Sequence, residues 1–495
     1  MRVPYSVSMG ACALLALLLA SCTLGPDFIR PGVSPGAIYS DRAIQIGSAG
    51  NADPMQMLAP DQTVPAKWWR AFASSELDGA IEAAIMRNPT LEAAQASVAQ
   101  AERLVSAAQG ALYPQADLSV SANGARTAAP GGSLHVIAHT YDIGPALTFD
   151  PDLFGANRRT VEQQRALAEV QRHELAAAYL SLTGNVVVQA IDIAGVREQL
   201  QAVREIVDID ERNVELAQIG TEAGKLARAD VLAAQSQLAN DRALLPPLEQ
   251  QLDVARDAFA VLGGASPGEL RPPEFDFASL ALPTRLPVTM PSALVRTRPD
   301  ILAAEAQLHA ASAAIGIATA RLYPDVTLSA TWMQQSASLG QLFTGSAGVW
   351  AVATDLVAPV FRGGTLRAQR DATIAAYAAQ LADYRATVIQ AFGQVADALH
   401  ALEHDAQSLA AQRGALSAAQ ASLDLTQQSF AAGQATLVQL LQVQRLFEQA
   451  RLGYAKARGQ RYADTVQLFV VMGGEWREWL DYSKTPSSAR QTPNG

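Results

Sequence analysis

Two histidines one helical turn apart, with a carboxylate beside them, come nearest to a reactive constellation in this 495-residue chain. His400-Ala401-Leu402-Glu403-His404 fits H-x-x-E-H, in which both imidazoles can hold a zinc ion and the glutamate can activate its water. Catalytic zinc generally needs a third protein ligand and a pocket. The nearest further acids, Asp397 and Asp405, lie in the same proline-free run, so two polar residues on a solvated or lumen-facing helix surface are the better reading. No G-x-G-x-x-G or P-loop string occurs, and Ser, His and Asp are scattered without a nucleophile turn. The residues predict neither an enzyme nor a metal centre.

Cys22 is the other residue with chemistry to offer. Between Met1 and Cys22 there is one charge, Arg2, followed by the apolar run Ala11–Ala20. That run is too short to cross a bilayer and suits the core of a signal peptide. It ends in Leu19-Ala20-Ser21-Cys22, which looks like a bacterial lipobox. Residues 1–21 are then the signal peptide, and Cys22 carries a covalent diacylglycerol on sulfur and an acyl chain on nitrogen. The plainer alternative is a secretory signal that happens to end near a cysteine. Cleavage removes Cys12, leaving no pair for an internal disulfide. Thr23 rather than aspartate follows, which resembles outer-membrane sorting in bacterial lipoproteins. No other segment reaches eighteen apolar residues, so no transmembrane helix is expected.

The composition narrows what can position these residues. Hydrophobic residues are 49% of the chain, charged ones 17% and aromatics 6%, and alanine is roughly a fifth. Small apolar residues suit helices packed closely on one another. A formal charge of -10 argues against nucleic acid, whose phosphates need clustered positive charge.

A repeat organises the chain. Leu91, Ala94, Val98, Ala101, Val105, Ala108 and Leu112 alternate spacings of three and four, a coiled-coil seam. Adding 210 to each number gives Ile301, Ala304, Leu308, Ala311, Ile315, Ala318 and Leu322. Pro89 and Pro299 open the two copies, and Leu112-Tyr113-Pro114 and Leu322-Tyr323-Pro324 close them. An internal tandem duplication of about 210 residues is the reading.

After each Tyr-Pro the period becomes two. Leu118, Val120 and Ala122, then, past a turn at Gly131-Gly132, Tyr141, Ile143, Pro145, Leu147 and Phe149 alternate with mostly smaller or polar residues. The second copy offers Val326, Leu328, Ala330 and Trp332, then Trp350, Val352, Thr354 and Leu356. Each run is about ten residues, the length of a tilted strand that crosses a membrane. A hairpin packed on a soluble core would be the default for one copy alone. Four strands cannot close a barrel in lipid, so several chains must associate. Two chains would give eight strands, with a filled interior; three would give twelve, with room for a lumen. Runs without proline follow, from about Ala156 to Ile219 and from about Thr365 to Phe430. Roughly 65 residues at 1.5 Å rise make a helix of about 100 Å.

The chain then turns at Gly224 and Gly433, and return helices end at Gly263-Gly264 and Gly473-Gly474. Pro246-Pro247 should kink or break the first return; the second has no such pair. Proline-rich stretches, Pro26–Pro65 and Pro267–Pro291, read as connections that wrap rather than as core. The resulting division is a lipidated extended segment at 22–76, a first repeat at 77–264, a connector at 265–291, a second repeat at 292–474 and a polar tail at 475–495.

This arrangement resembles the outer-membrane factor (TolC-like) family, within it the lipoprotein branch of the OprM and NodT type. The matching strings are "CTLGPDFIRP", "KWWRAFASSELDGAI" at Lys67–Ile81, "RNPTLEAA" at Arg87–Ala94 and "FRGGTLRAQ" at Phe361–Gln369. The resemblance implies an α+β membrane protein: a homotrimer whose 12-stranded outer-membrane β-barrel, four strands per chain, continues into a coiled-coil α-helical barrel in the periplasm. It also implies a passive exit duct for small molecules in a tripartite efflux pump. Its partners would be a periplasmic adaptor, an inner-membrane pump of the resistance-nodulation-division type, and outer-membrane lipid. A duct for type I protein secretion and a non-conducting coiled-coil scaffold are the alternatives. Gly224, Lys225, Leu226, Gly433, Gln434 and Ala435 resemble the family's tip turns, where the adaptor is met. Arg228, Asp230, Gln439 and Gln442 fall where the family narrows its pore. Acids ring that pore in several members; here Asp230 keeps one, and Gln439 and Gln442 do not.

Overall fold

The computed structural model describes residues 23–32, 38–39, 55–128 and 135–476. The signal peptide, Cys22, the Gly131-Gly132 turn and residues 477–495 lie outside them. After strand β1 (Met57–Pro60) and a 3-10 turn at Trp68–Phe72 come helices α1 (Ser75–Arg87) and α2 (Pro89–Gly110), then strands β2 (Gln115–Ala128) and β3 (His135–Phe149). Helix α3 (Ala156–Glu222) leads to α4 (Arg228–Arg242) and α5 (Leu245–Leu262). The order then recurs: β4 (Arg285–Val288), α6 (Pro291–Thr297), α7 (Pro299–Ala320), β5 (Asp325–Ser336), β6 (Gly348–Val357), α8 (Thr365–Ala431) and α9 (Leu437–Val471). Helices α3 and α8 are each 67 residues long.

The proline pair acts as its chemistry dictates. Pro246 and Pro247 occupy the first turn of α5, where a missing N–H costs nothing, and so end α4 and start a new helix. The second return, α9, is one unbroken helix of 35 residues.

The chain divides into two compact units, each drawn from both halves of the sequence. One comprises Met1–Pro31, Ala96–Arg172 and Ala303–Arg385. Its centre is an antiparallel sheet in the order β2-β3-β5-β6. Residues Thr23–Pro31 are tied to the helices beside it. Leu24 N–H donates to the Phe154 carbonyl at 3.2 Å, Phe28 stacks on His309 at 4.5 Å, and Arg30 pairs with Glu305 at 2.7 Å.

The other unit comprises Gly32–Gln95, His173–Leu302 and Ala386–Gly495. Trp68, Trp69 and Phe72 are fully buried in it, Trp68 stacking on Phe469 at 5.4 Å. Trp69 keeps its indole N–H satisfied on Asp78 at 2.8 Å. Here the connector differs from expectation. Phe275, Phe277, Leu280, Leu282 and Leu286 are buried, so Pro267–Pro291 contributes core rather than wrapping it. The cause is the small residues of the helices. A Cβ on Gly195 of α3 or on Gly459 of α9 would lie 3.8 Å from Phe277 Cζ, so both glycines make room for that ring. Alanine- and glycine-rich helices leave gaps that bulky connector residues fill.

By length and composition two helices, α3 and α7, contain windows apolar enough to cross a membrane, more than the run-length reading expected. Those windows are 67% and 56% buried within the chain, as in helices of a packed core.

Candidate functional site

The sheet has two chemically distinct faces. Register pairs Leu118 with Pro145, Val120 with Ile143, Leu147 with Ala330, and Trp332 with Trp350. Side chains alternate along a strand, so these residues share one face with Leu328, Val352 and Leu356. On that face Leu118, Val120, Trp350 and Val352 are each about 70% exposed, an apolar surface with nothing over it in a single chain. The opposite face carries Ser119, Ser121, Asn123, Asp142, Thr331, Gln335 and Asp355. Ser121 donates to Asp142 Oδ2 at 2.9 Å and Gln335 to Asp142 Oδ1 at 2.7 Å, linking three strands by side-chain hydrogen bonds.

Tyr113, Tyr323 and Phe361 are exposed where helices meet strands, and Trp332 and Trp350 lie further along. Tyr323 to Trp332 is nine residues, which at about 3.3 Å each and a tilt of about 40° rises about 23 Å, close to the apolar band of an outer-membrane barrel. Both edges of the sheet, β2 and β6, lack a partner strand among the described residues.

The two turns fold alike. Gly224 and Gly433 have φ of 72° and 73°, a left-handed conformation that glycine adopts without cost. Lys225 N–H donates to the Gly220 carbonyl at 2.8 Å and Gln434 N–H to the Ser429 carbonyl at 2.8 Å, closing each long helix in the same way. Gly224, Lys225, Gly433 and Gln434 are exposed; Leu226 and Ala435 are half-buried. Leu226 packs inward on a cluster of Ala217, Ala234, Leu423, Leu437, Leu440, Leu441 and Phe447.

Of the four residues assigned to the pore, Asp230 and Gln439 also have local duties, and Arg228 and Gln442 are exposed. Asp230 Oδ2 accepts from Ala227 N–H at 2.9 Å rather than from Arg228, which is exposed. Thr436 Oγ1 accepts from Gln439 N–H at 3.3 Å, and Gln439 Oε1 accepts from Thr436 N–H at 2.9 Å. This is the reciprocal cap that T-x-x-Q announces, so Asp230 and Gln439 both start a helix. Gln442 is exposed on α9.

Three buried carboxylates escaped the sequence reading because they are distant along the chain. Asp210 of α3, Asp241 of α4 and Glu448 of α9 each offer an oxygen within 4.8 Å of the others. Burial, followed by the neighbouring acids, pushes the carboxyls of Asp210 and Glu448 above the usual range.

His400 and His404 sit on α8, half-buried and exposed, with His400 Nδ1 3.9 Å from Glu403. Among the described residues they join no group of three metal-ligating side chains. Asp405 instead faces Asp464 and Arg461, and burial with the Asp464 contact pushes its carboxyl up to about 8. A raised folded value means the folded chain holds this proton between about pH 4 and 8 while the unfolded chain does not. Stability from this group is therefore present at low pH and lost as pH rises through 8. Asp405→Asn is expected to melt higher than the parent at pH 8 and equally at pH 4. Each kcal/mol relieved is worth roughly 2–4 °C, and partial exposure reduces the relief. Thermal melts at the two pH values check this.

The expectation that no nucleophile motif, G-x-S-x-G included, occurs is incorrect for one string. Gly264-Ala265-Ser266-Pro267-Gly268 fits G-x-S-x-G. Its serine donates to Glu269 Oε2 at 2.7 Å in the turn after α5, outside the strand-to-helix elbow that chemistry needs.

Comparison with known proteins agrees with this geometry. The family model described as "Outer membrane efflux protein" matches residues 80–265 and again 290–474. The pyoverdine export outer membrane protein OpmQ of Pseudomonas aeruginosa is 29% identical over 468 residues, covering 93% of this chain and 95% of that protein. Nodulation protein T of Rhizobium leguminosarum bv. viciae is 28% identical over 469 residues, covering 94% and 93%. The solved structure of the outer-membrane channel OprN superposes with a TM-score of 0.83 at 27% identity, covering 92% of this chain and 100% of that one. The sheet with one apolar and one polar face, the paired turns and the doubled match all agree: this chain belongs to the outer membrane efflux protein family and is an outer-membrane channel protein.

Proposed function

We propose that this chain is the outer-membrane duct of a tripartite efflux pump, three copies of which close a 12-stranded barrel. The observation that carries this reading is the four-stranded sheet whose outer edges, on β2 and β6, have no partner strand among the described residues, with an apolar face on one side and a polar face on the other. In lipid each open backbone group costs several kcal/mol, so an edge must meet another copy's edge. The apolar face then meets lipid, and the Ser121–Asp142–Gln335 face lines the lumen. The seam of α2 supports the same assembly. Only Leu91 of that helix is buried in one chain, and the remaining seam residues are left half-covered for a neighbour.

The lipid on Cys22 belongs to this reading. Thr23, the next residue, lies so near Gly155 that a Cβ there would sit 3.0 Å from Thr23 Cα, at the start of α3 just after β3. A diacylglycerol on the preceding residue reaches the membrane at the end of the sheet where the aromatic residues lie. The turns at Gly224 and Gly433, with Leu232 and Val438 exposed beside them, are the surface offered to a periplasmic adaptor. That adaptor joins the duct to an inner-membrane pump of the resistance-nodulation-division type, and pump and adaptor choose the cargo. Tandem duplication accounts for the two sets of elements and gives repeats at 77–264 and 292–474.

Crosslinking of the detergent-solubilised protein, followed by planar-bilayer recording on the same sample, tests the proposal. A trimer with discrete single-channel conductance is expected. A monomer or dimer that does not conduct would leave the sheet unclosed and the duct reading untenable.

A further inference from the structure

We propose that Asp210, Asp241 and Glu448 form a buried site for a hard divalent cation, with oxygen ligands only, that ties α3, α4 and α9 together. The side chains come from three helices and are 1%, 6% and 5% exposed. Their nearest oxygens lie within 4.8 Å of one another, a separation that one ion at about 2.0–2.6 Å from each ligand can bridge.

The neighbouring amides fix how the carboxylates point. Asn213 Nδ2 donates to Gln444 Oε1 at 2.7 Å, which turns the Gln444 amide nitrogen onto Asp210 Oδ1. Arg445 Nε donates to Gln237 Oε1 at 3.1 Å. A guanidinium can only donate, so the contacted atom of Gln237 is its oxygen, and its nitrogen donates to Asp241 Oδ2 at 2.6 Å. Two relays therefore hold both aspartates as acceptors from outside, the role that supporting hydrogen bonds play around metal ligands.

The oxygens left over are Asp210 Oδ2 and Glu448 Oε1, both buried and without a hydrogen-bond partner. Arg445 hydrogen-bonds the neutral Gln237 amide, and its charge acts on Glu448 without outweighing burial. Unpaired buried carboxylates cost several kcal/mol each, so they must be neutralised, by protons or by a cation. A shared proton bridges two carboxylates and leaves the third; an ion bridges all three. Oxygen ligands without histidine or cysteine select calcium, magnesium or manganese over zinc or copper.

The test uses the full-length protein in detergent, treated with EDTA, exchanged into metal-free buffer and titrated with Mn2+ by electron paramagnetic resonance. One saturable Mn2+ per chain is expected, displaced by Ca2+ or Mg2+, together with a melting temperature that falls with EDTA and returns with Mn2+. Glu448→Gln and Asp241→Asn, near-isosteric changes, should each weaken Mn2+ binding at least tenfold, whereas Asp253→Asn on exposed α5 surface should not. Binding equal in the parent and Glu448→Gln would overturn the site. So would a parent that binds no Mn2+ and melts unchanged in EDTA, leaving a shared proton as the occupant. Should both variants fail to assemble, the parent's stoichiometry and its EDTA response decide alone.

Discussion

Gly144→Ala is expected to reduce assembled channel to less than about a tenth of the parent amount, from the addition of one methyl group. A Cβ on Gly144 would lie 2.0 Å from the Trp332 carbonyl oxygen and 2.7 Å from Met333 Cα, and both are backbone atoms of β5 that no rotamer change can move. The next residue, Pro145, has no N–H to give the ladder, and β3 and β5 show no pairing at Gly144 or Pro145 although the register resumes unchanged at Ala146. The strands therefore approach too closely for a side chain at a point where their pairing is interrupted. Relieving the contact means moving β3 away from β5 and breaking neighbouring pairs, each worth several kcal/mol in lipid. Gly124→Ala is the control. A Cβ there meets only the His139 ring, at 3.3 Å, which can turn away. Crosslinking and resistance of the folded band to SDS at room temperature measure both. If Gly144→Ala assembled like Gly124→Ala, the close crossing of β3 and β5 would not be what fixes the sheet.

Gly144 also shows where reading the sequence stops. Period-two alternation placed Ile143, Pro145 and Leu147 on one face, because each strand carries its pattern within itself. Nothing local says that Trp332 comes within touching distance of Gly144, a pairing made across some 190 residues. The same divide runs through the rest of the chain. The turns, the break at Pro246-Pro247 and the long proline-free helices are short-range chemistry and were legible. A family pattern places Asp230 and Gln439 at the pore; their second role, starting a helix, was in view for Gln439 in T-x-x-Q. The connector was misjudged because proline content speaks of backbone shape, while Phe275 and Phe277 are buried by gaps in distant helices. Asp210, Asp241 and Glu448 were invisible for that reason too. Their meeting depends on three helices packing in register, which no spacing along the chain reveals.

Arg159→Met is expected to release the segment after Cys22 from the helices, raising amide exchange at Leu24 by about a hundredfold. The Arg159 side chain, 4% exposed in the first turn of α3, donates to the carbonyls of Leu24 at 3.1 Å and Gly25 at 3.3 Å. It also donates to Asp27 at 2.9 Å and to Glu162 at 2.6 Å. Methionine keeps the apolar stem and removes every donor. The half-buried Leu24 carbonyl is then left without this donor, whereas exposed Gly25 and Asp27 turn to water and Glu162 keeps His309 at 2.9 Å; three donations to the segment are lost together, at about 1 kcal/mol each. A net loss of about 3 kcal/mol corresponds to the stated change in local opening. Asp27 is 90% exposed, so Asp27→Asn should cost less than about 1 kcal/mol and move exchange by no more than a few-fold. The contrast separates two accounts of the tether. If the carbonyls and Glu162 hold it, only the arginine matters; if the surface ion pair does, the two variants behave alike. The first outcome is the one that bears on the anchor. Because Leu24 N–H bonds to the Phe154 carbonyl at 3.2 Å, shortly after the end of β3, the arginine and this backbone bond together pin Leu24 at the level of the sheet's end.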